Sequence, residues 1–295
     1  MSPAAAARQA RSEAGGMSVF SEAAGGFSPA RVGAMVLRYL YLLRSSWPRI
    51  ADLVYWPAVQ MITWGFLQTF IGQAAASGMR PGAVAVAAGN FIGAVLLWDM
   101  LFRGQLGFSV SFLEEMWSRN IANLMMSPLR PVEFVAALMT MSIVRLAIGL
   151  LPVTGLAVWF FGYNLWSLGV ALAVFFINLI VTSWSIGLVV SGLVLRNGMG
   201  AETLAWTIMF LLMPLACVYY PASVLPHWLQ LVAWCLPPTY VFEGFRAALF
   251  DHVFRGDLMV TAAAINLVLF ASAVAIFIAL VDSARRAGSL LQMGE

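Results

Sequence analysis

The sequence predicts an all-α membrane protein with six transmembrane helices, and three observations carry that prediction. The 295 residues are 62% hydrophobic and only 10% charged, against roughly 25% charged in a soluble domain. Too few polar side chains remain to coat a water-facing surface, so lipid has to replace water as the solvent. The apolar residues are also gathered into long runs of spanning length, separated by shorter connections. Finally, the arginines fall mostly on alternate connections, as the positive-inside rule requires of a multi-pass chain.

Taken in order, residues 1–27 are rich in Ala, Gly and Ser and hold no apolar run long enough for a signal peptide. They read as a disordered cytoplasmic tail. In residues 28–47, Ser28 suits an N-cap and Pro29 the first helical position. Arg31 and Arg38 share a face, the rest is largely Leu, Tyr, Val and Met, and Trp47-Pro48 breaks the run. This segment reads as an amphipathic interfacial helix rather than an extension of the first span. Residues 48–285 form the six-span domain and 286–295 a cytoplasmic tail.

The spans are expected at about 52–71, 83–102, 134–161, 167–195, 203–220 and 259–282. Spans three and four are joined by the turn Phe161 to Leu165 and are expected to pair as an antiparallel hairpin. Pro214 predicts a kink in span five. With the N-terminus in the cytoplasm, twelve arginines fall inside: Arg8, Arg11, Arg31, Arg38, Arg44, Arg49, Arg103, Arg119, Arg130, Arg196, Arg285 and Arg286. Only Arg80, Arg246 and Arg255 fall outside. Both termini are therefore expected in the cytoplasm.

Two connections carry further information. From Arg103 to Glu133 the chain is expected to form a cytoplasmic loop, in which Ser111 to Glu114 has the pattern of a capping box. Leu113, Met116 or Trp117, Ile121 and Leu124 then recur at helical spacing, with Glu115, Arg119 and Asn123 on another face, and Ser127-Pro128 ends the helix. Such a short amphipathic helix can rest on lipid or fit a socket on a partner, and periodicity alone does not separate the two. The second connection, Tyr219 to Arg246, holds an apolar run too short to cross and bounded by prolines, with interface aromatics at Tyr219, Tyr220, Trp228, Trp234 and Tyr240. It reads as an outer re-entrant helical hairpin.

Both connections resemble the permeases of type-2 ABC exporters. In the first, the acidic pair Glu114-Glu115 precedes Asn120 to Pro128 and the start Pro131-Val132-Glu133; the chain carries Asn120-Ile121 where many members have Gly-Thr. In the second, Leu225-Pro226-His227-Trp228-Leu229, the turn Pro237-Pro238 and the stretch Glu243-Gly244-Phe245-Arg246 follow the family's order. The resemblance covers about residues 30 to 285. It implies a cytoplasmic coupling helix docked on a separate cytosolic ABC ATPase that holds ATP and Mg, a second copy of the permease as homodimer partner, surrounding membrane lipid, and a place in the bacterial inner membrane. The cargo it implies is amphipathic, lipid-like or glycan.

On that reading Glu114, Glu115, Arg119 and Asn123 are candidates for the ATPase contact, although two acids at a helix start also favour the helix dipole. Pro226, Trp228, Pro237, Pro238, Tyr240, Glu243 and Arg246 form the outer hairpin and gate. A Glu243–Arg246 pair could hold the hairpin to span six, or be an ordinary rim salt bridge. The implied dimer seam lies along spans one and five, so Tyr55, Trp56, Trp64, Phe66, Met209 and Met213, with Arg145 of span three, are candidates for a transport path. An aromatic stripe serves equally as packing. Arg145 lies near mid-span, where a charge costs about 2.5–3.5 kcal/mol on insertion scales, and Asp99 is its candidate partner. Asn90 and Asn178 are expected to bond between helices. Cys217 and Cys235 fall near one face, either as small apolar residues or as a disulfide.

Other classes fit less well. All 16 basic residues are arginine, and a Walker A loop or a Schiff-base enzyme needs a lysine. No His-Glu-x-x-His or Gly-x-Ser-x-Gly occurs, and the two histidines, His227 and His252, have no metal-ligand spacing. The net charge of +3 is small and scattered, against nucleic acid. A channel or secondary transporter is the remaining rival, without visible inverted repeats.

Overall fold

The computed structural model describes residues 26–76 and 90–286, which are helical with no strand among them. Most of the predicted N-terminal tail, Arg80, the start of the predicted second span and residues 287–295 lie outside the described residues. In order come α1 (Pro29–Arg44), α2 (Trp47–Ala76), α3 (Asn90–Trp117), α4 (Ile121–Met126), α5 (Pro131–Phe161), α6 (Val170–Asn197), α7 (Leu204–Leu215), α8 (His227–Ala233), α9 (Pro237–Arg246) and α10 (Gly256–Arg286). Four helices among the described residues are long and apolar enough to cross a membrane: Phe91–Trp117, Pro131–Phe161, Val170–Asn197 and Gly256–Ala284.

The α3 helix is central. It packs between α5 and α6, α2 lies against α5 and α3, and α10 lies along α6. Spans three and four therefore do not pair mainly on each other as expected; α3 stands between them. The turn itself is as tight as predicted, with Gly162 closing α5 in the left-handed region at φ 65°. Burial follows this layout. Of the most apolar stretch of α3, 83% is buried, against 22% for α10, which is also the more hydrophobic of the two. A helix facing lipid has to be apolar all along, whereas an interior helix can carry polar groups if they find partners.

This explains the largest departure from expectation. The helix was expected to end near residue 102 with a loop beyond, but α3 continues through Arg103 to Trp117. The polar residues that end the apolar run are satisfied inside the bundle. Gln105 Nε2 donates to Ser109 Oγ at 3.0 Å, and Ser111 Oγ donates to the Gly107 carbonyl at 2.8 Å. Ser111 is thus a buried mid-helix residue and no N-cap. Arg103 leaves the tally of cytoplasmic loop arginines.

Pro214 does not kink a long span either. The α7 helix is 12 residues long and ends one residue after it. At 1.5 Å per residue that is roughly 18 Å, short of the ~30 Å hydrocarbon core.

Small residues let the helices approach. A Cβ on Gly149 of α5 would lie 2.6 Å from the Leu53 carbonyl oxygen of α2, and one on Gly107 of α3 would lie 3.0 Å from Ser142 Cα of α5. Polar ties complement them. Asn266 of α10 donates to the Asn178 side chain and carbonyl of α6 at 3.1 and 3.0 Å, and accepts from Thr182 at 2.7 Å. Asn178 is thus the interhelical bonder expected of it; the side chain of Asn90 lies outside the described residues.

Candidate functional site

The charged residues of α1, α3 and α5 meet at one end of the bundle. Sequence dictates the first contact, because Pro131 starts α5 and puts Glu133 in its first turn, where an acid complements the exposed N–H groups. The fully buried Glu133 carboxylate accepts from the Arg130 amide at 3.0 Å and the Ser28 amide at 2.8 Å. It also accepts from Arg31 Nε and Nη2 at 2.8 and 2.6 Å. Two turns further along α1, Arg38 grips Glu115 of α3 through both terminal guanidinium nitrogens, the second at 3.1 Å. The seven-residue spacing of Arg31 and Arg38 does put both on one face, and that face is turned to acids of α5 and α3.

Glu115 has a second duty. Its Oε2 accepts from Asn120 Nδ2 at 2.7 Å, and the Asn120 amide bonds to the Glu115 carbonyl. These bonds fold the chain back at the end of α3, where Arg119 takes φ 54°, and launch α4. The helix α4 is thus six residues long, shorter than the helix expected to begin at Ser111 and end at Ser127-Pro128. Ile121 is buried and anchors it, while Asn123 is exposed and Met126 is 81% exposed.

Glu114 lies one residue from Glu115 and therefore points to another side of α3. It accepts from Arg145 of α5 at 2.7 Å and from Arg49 of α2 at 3.3 Å. Arg145 is thus paired with Glu114 and not with Asp99. The expectation failed because Glu114 was assigned to a loop, whereas α3 carries it back against α5. Asp99 instead faces Arg103, one turn on, at 3.7 Å.

Of the four candidates for a partner contact, Glu114 and Glu115 are engaged within the chain, and Arg119 and Asn123 stand on the exposed surface. Arg31, Arg38, Arg49, Glu133 and Met126 were not singled out as site residues. The regular spacing of the arginines and the acid at the first turn of α5 were the available signals.

The opposite end holds the second predicted group. Pro226 caps α8, Trp228 is exposed, and Pro237 and Pro238 form the buried first turn of α9. Tyr240 donates to the Trp234 carbonyl at 2.8 Å and closes the α8–α9 turn. Glu243 and Arg246 pair at 3.0 Å, but the pair does not tie the hairpin to the last helix. Glu243 accepts from the Ala222 amide at 2.7 Å and Arg246 donates to the Cys217 carbonyl at 2.9 Å. Both therefore bind α9 to the chain leaving α7. Cys217 adopts φ 55°, a strained conformation for a non-glycine residue, and its carbonyl is held there by Arg246. Cys217 is buried, Cys235 is exposed, and both are free thiols.

Of the proposed path residues, Tyr55, Trp56 and Phe66 project from α2, each more than half exposed. Trp64 is stacked inside the chain on Tyr219 at 4.5 Å and on Phe91 at 5.5 Å. Met209 is fully buried and Met213 packs against the core.

Taken together, the apolar helices and the buried polar ties define a multi-pass membrane protein whose charged groups are gathered at one end. Comparison makes this specific: the sequence profile of the ABC-2 type transporter family matches residues 40–250, and the chain belongs to that family. It is a transporter permease by family, with an ATPase partner as the family's usual companion. Comparison with curated protein sequences returns no match.

Proposed function

We propose that this chain is the membrane subunit of an ATP-driven exporter in the bacterial inner membrane, working as a homodimer on two copies of a cytosolic ATPase that carries ATP and Mg. The observation that carries the reading is α4. It is a six-residue helix with an exposed apolar tip, Met126, seated on a helix end that is fixed by the Glu115–Arg38 and Glu115–Asn120 contacts. A knob on a rigid mount can pass a push from a partner into α3 and, through Arg38 and Arg31, into α1. The absence of lysine leaves ATP hydrolysis to another polypeptide.

Six crossings fit this reading, with both termini in the cytoplasm. The α2 helix starts beside Glu114 at Arg49 and ends near the start of α3, where Gln68 accepts from the Ile92 amide. The fifth crossing would be α7 with the chain beyond it. Glu202 accepts from Trp117 Nε1 at the last turn of α3, and the Tyr219 ring lies tilted against Phe91 near its first turn. The open aromatic face of α2 would suit an amphipathic, lipid-like or glycan cargo with its apolar part against Tyr55, Trp56 and Phe66.

The test is co-elution. Tagged chain purified in mild detergent should bring down an ATPase whose activity is lost when Met126→Asp and Asn123→Arg are introduced together. Neither residue is part of an ion pair, so the variant should elute as a folded protein. A well-folded wild-type chain that never retains an ATPase would overturn the reading and favour a channel or secondary transporter.

A further inference from the structure

A cavity of about 400 Å³ opens between α2, α3, α5 and α7. Its polar lining is Arg49, Asp52, Arg103, Glu114 and Arg145; the remainder is apolar and includes Leu106, Val110 and Trp206. The buried charges balance in number, Arg145 against Glu114 and Arg103 against Asp99, but the hydrogen bonds do not, because Nε of each arginine is left without a partner. Glu114 is shared by Arg49 and Arg145, while Asp52 is exposed to solvent. Arg103 is 8% exposed, and its Nε is buried without a hydrogen-bond partner. Its nearest carboxylate oxygen, on Asp99, lies 3.7 Å from Nε, too far for a hydrogen bond. Arg145 is 6% exposed, and its Nε, like that of Arg103, is buried without a partner.

A guanidinium carries five donors and cannot shed its charge. Two of them, more than nine-tenths buried and with donors unused, beside a space of this size, call for an acceptor with several oxygens. We propose that the cavity binds a phosphate-bearing anion, with Arg103 and Arg145 donating to its oxygens. A phosphate matches the planar fork of arginine. The apolar remainder of the wall suits the carbon portion of an amphiphile, so a phospholipid headgroup and free phosphate are the two sources of the same chemistry. This site is independent of the exporter reading, because it requires no ATPase and no transport.

Binding is tested on the full chain, delipidated and held in neutral detergent. Native mass spectrometry would compare phosphatidylglycerol with phosphatidylcholine of the same acyl chains. Thermal melting would compare inorganic phosphate with chloride at equal ionic strength. One phosphatidylglycerol per chain, held about tenfold more tightly than phosphatidylcholine, identifies a lipid headgroup. Melting raised by phosphate without a lipid preference identifies the free anion. Either preference should disappear in Arg103→Gln. Val110→Phe, which fills the cavity and removes no charge, should abolish it too and serves where Arg103→Gln does not fold. Wild-type protein indifferent to both probes holds only water there, and a preference that survives both variants lies elsewhere. Each of those results overturns the proposal.

Discussion

Arg145 and Glu114 are 31 residues apart and meet at 2.7 Å, with side chains only 7% and 10% exposed. Two charges so placed are desolvated together, and their attraction offsets that cost only while both are present. Glu114→Gln removes the acid and leaves Arg145 buried without a counter-charge, so stability should fall by about 3–5 kcal/mol. Replacing both residues, as Glu114→Leu with Arg145→Leu, removes the desolvation cost as well and should return the protein to within about 1 kcal/mol of wild type. Arg49 also loses a partner in these variants, but its side chain is half exposed and water can take over. Thermal melting of the purified chain in detergent decides the matter; a double variant as unstable as the single one would show that the pair has a role beyond neutralising Arg145. At this scale the sequence was informative about which residues were unusual and uninformative about their partners. An arginine in an apolar run has to be paired, yet its partner depends on how far the neighbouring helix continues.

That continuation belongs to the scale of the element. The α3 helix was read as ending at Arg103 because hydropathy detects contact with lipid, and α3 is covered mostly by protein. The helices α5, α6 and α10, which protein covers less than α3, were legible to within a few residues for the converse reason. What hydropathy also misses is close approach between backbones, and here α5 offers an internal comparison. Gly149 and Gly155 lie on the same helix. A methyl group at Gly149 would meet the Leu53 carbonyl of α2 at 2.6 Å, whereas one at Gly155 would meet nothing within 4 Å. Gly149→Ala should therefore push α2 and α5 apart and destabilise by about 1–3 kcal/mol. Gly155→Ala should be neutral or stabilising by up to about 1 kcal/mol, since alanine is the better helix former. Melting temperatures moving in the same direction for both would mean that the α2–α5 contact is not closely packed.

For the whole molecule, α6 and α10 settle the path of the chain between them. Phe175 near the start of α6 lies 6.3 Å from Phe254, just before α10, and a Cβ on Gly192 near the end of α6 would meet Leu280 near the end of α10. The two helices are therefore parallel, and the chain after Asn197 has to return along the full length of the bundle before α10 can begin. With α7 only 12 residues long, the return is completed by the irregular stretch held by Arg246 and Glu243. If the bundle lies across the bilayer as proposed, Cys235 and Asn123 face opposite sides of the membrane. Cys235 is exposed and Cys217 buried, so a membrane-impermeant maleimide applied to spheroplasts should label the chain once, and Cys235→Ser should abolish the signal. In a chain lacking both native cysteines, Asn123→Cys should react only after permeabilisation. Labelling of both positions from the outside would place the return within one leaflet and remove the fifth crossing, and the reverse pattern would invert the orientation drawn from the arginines.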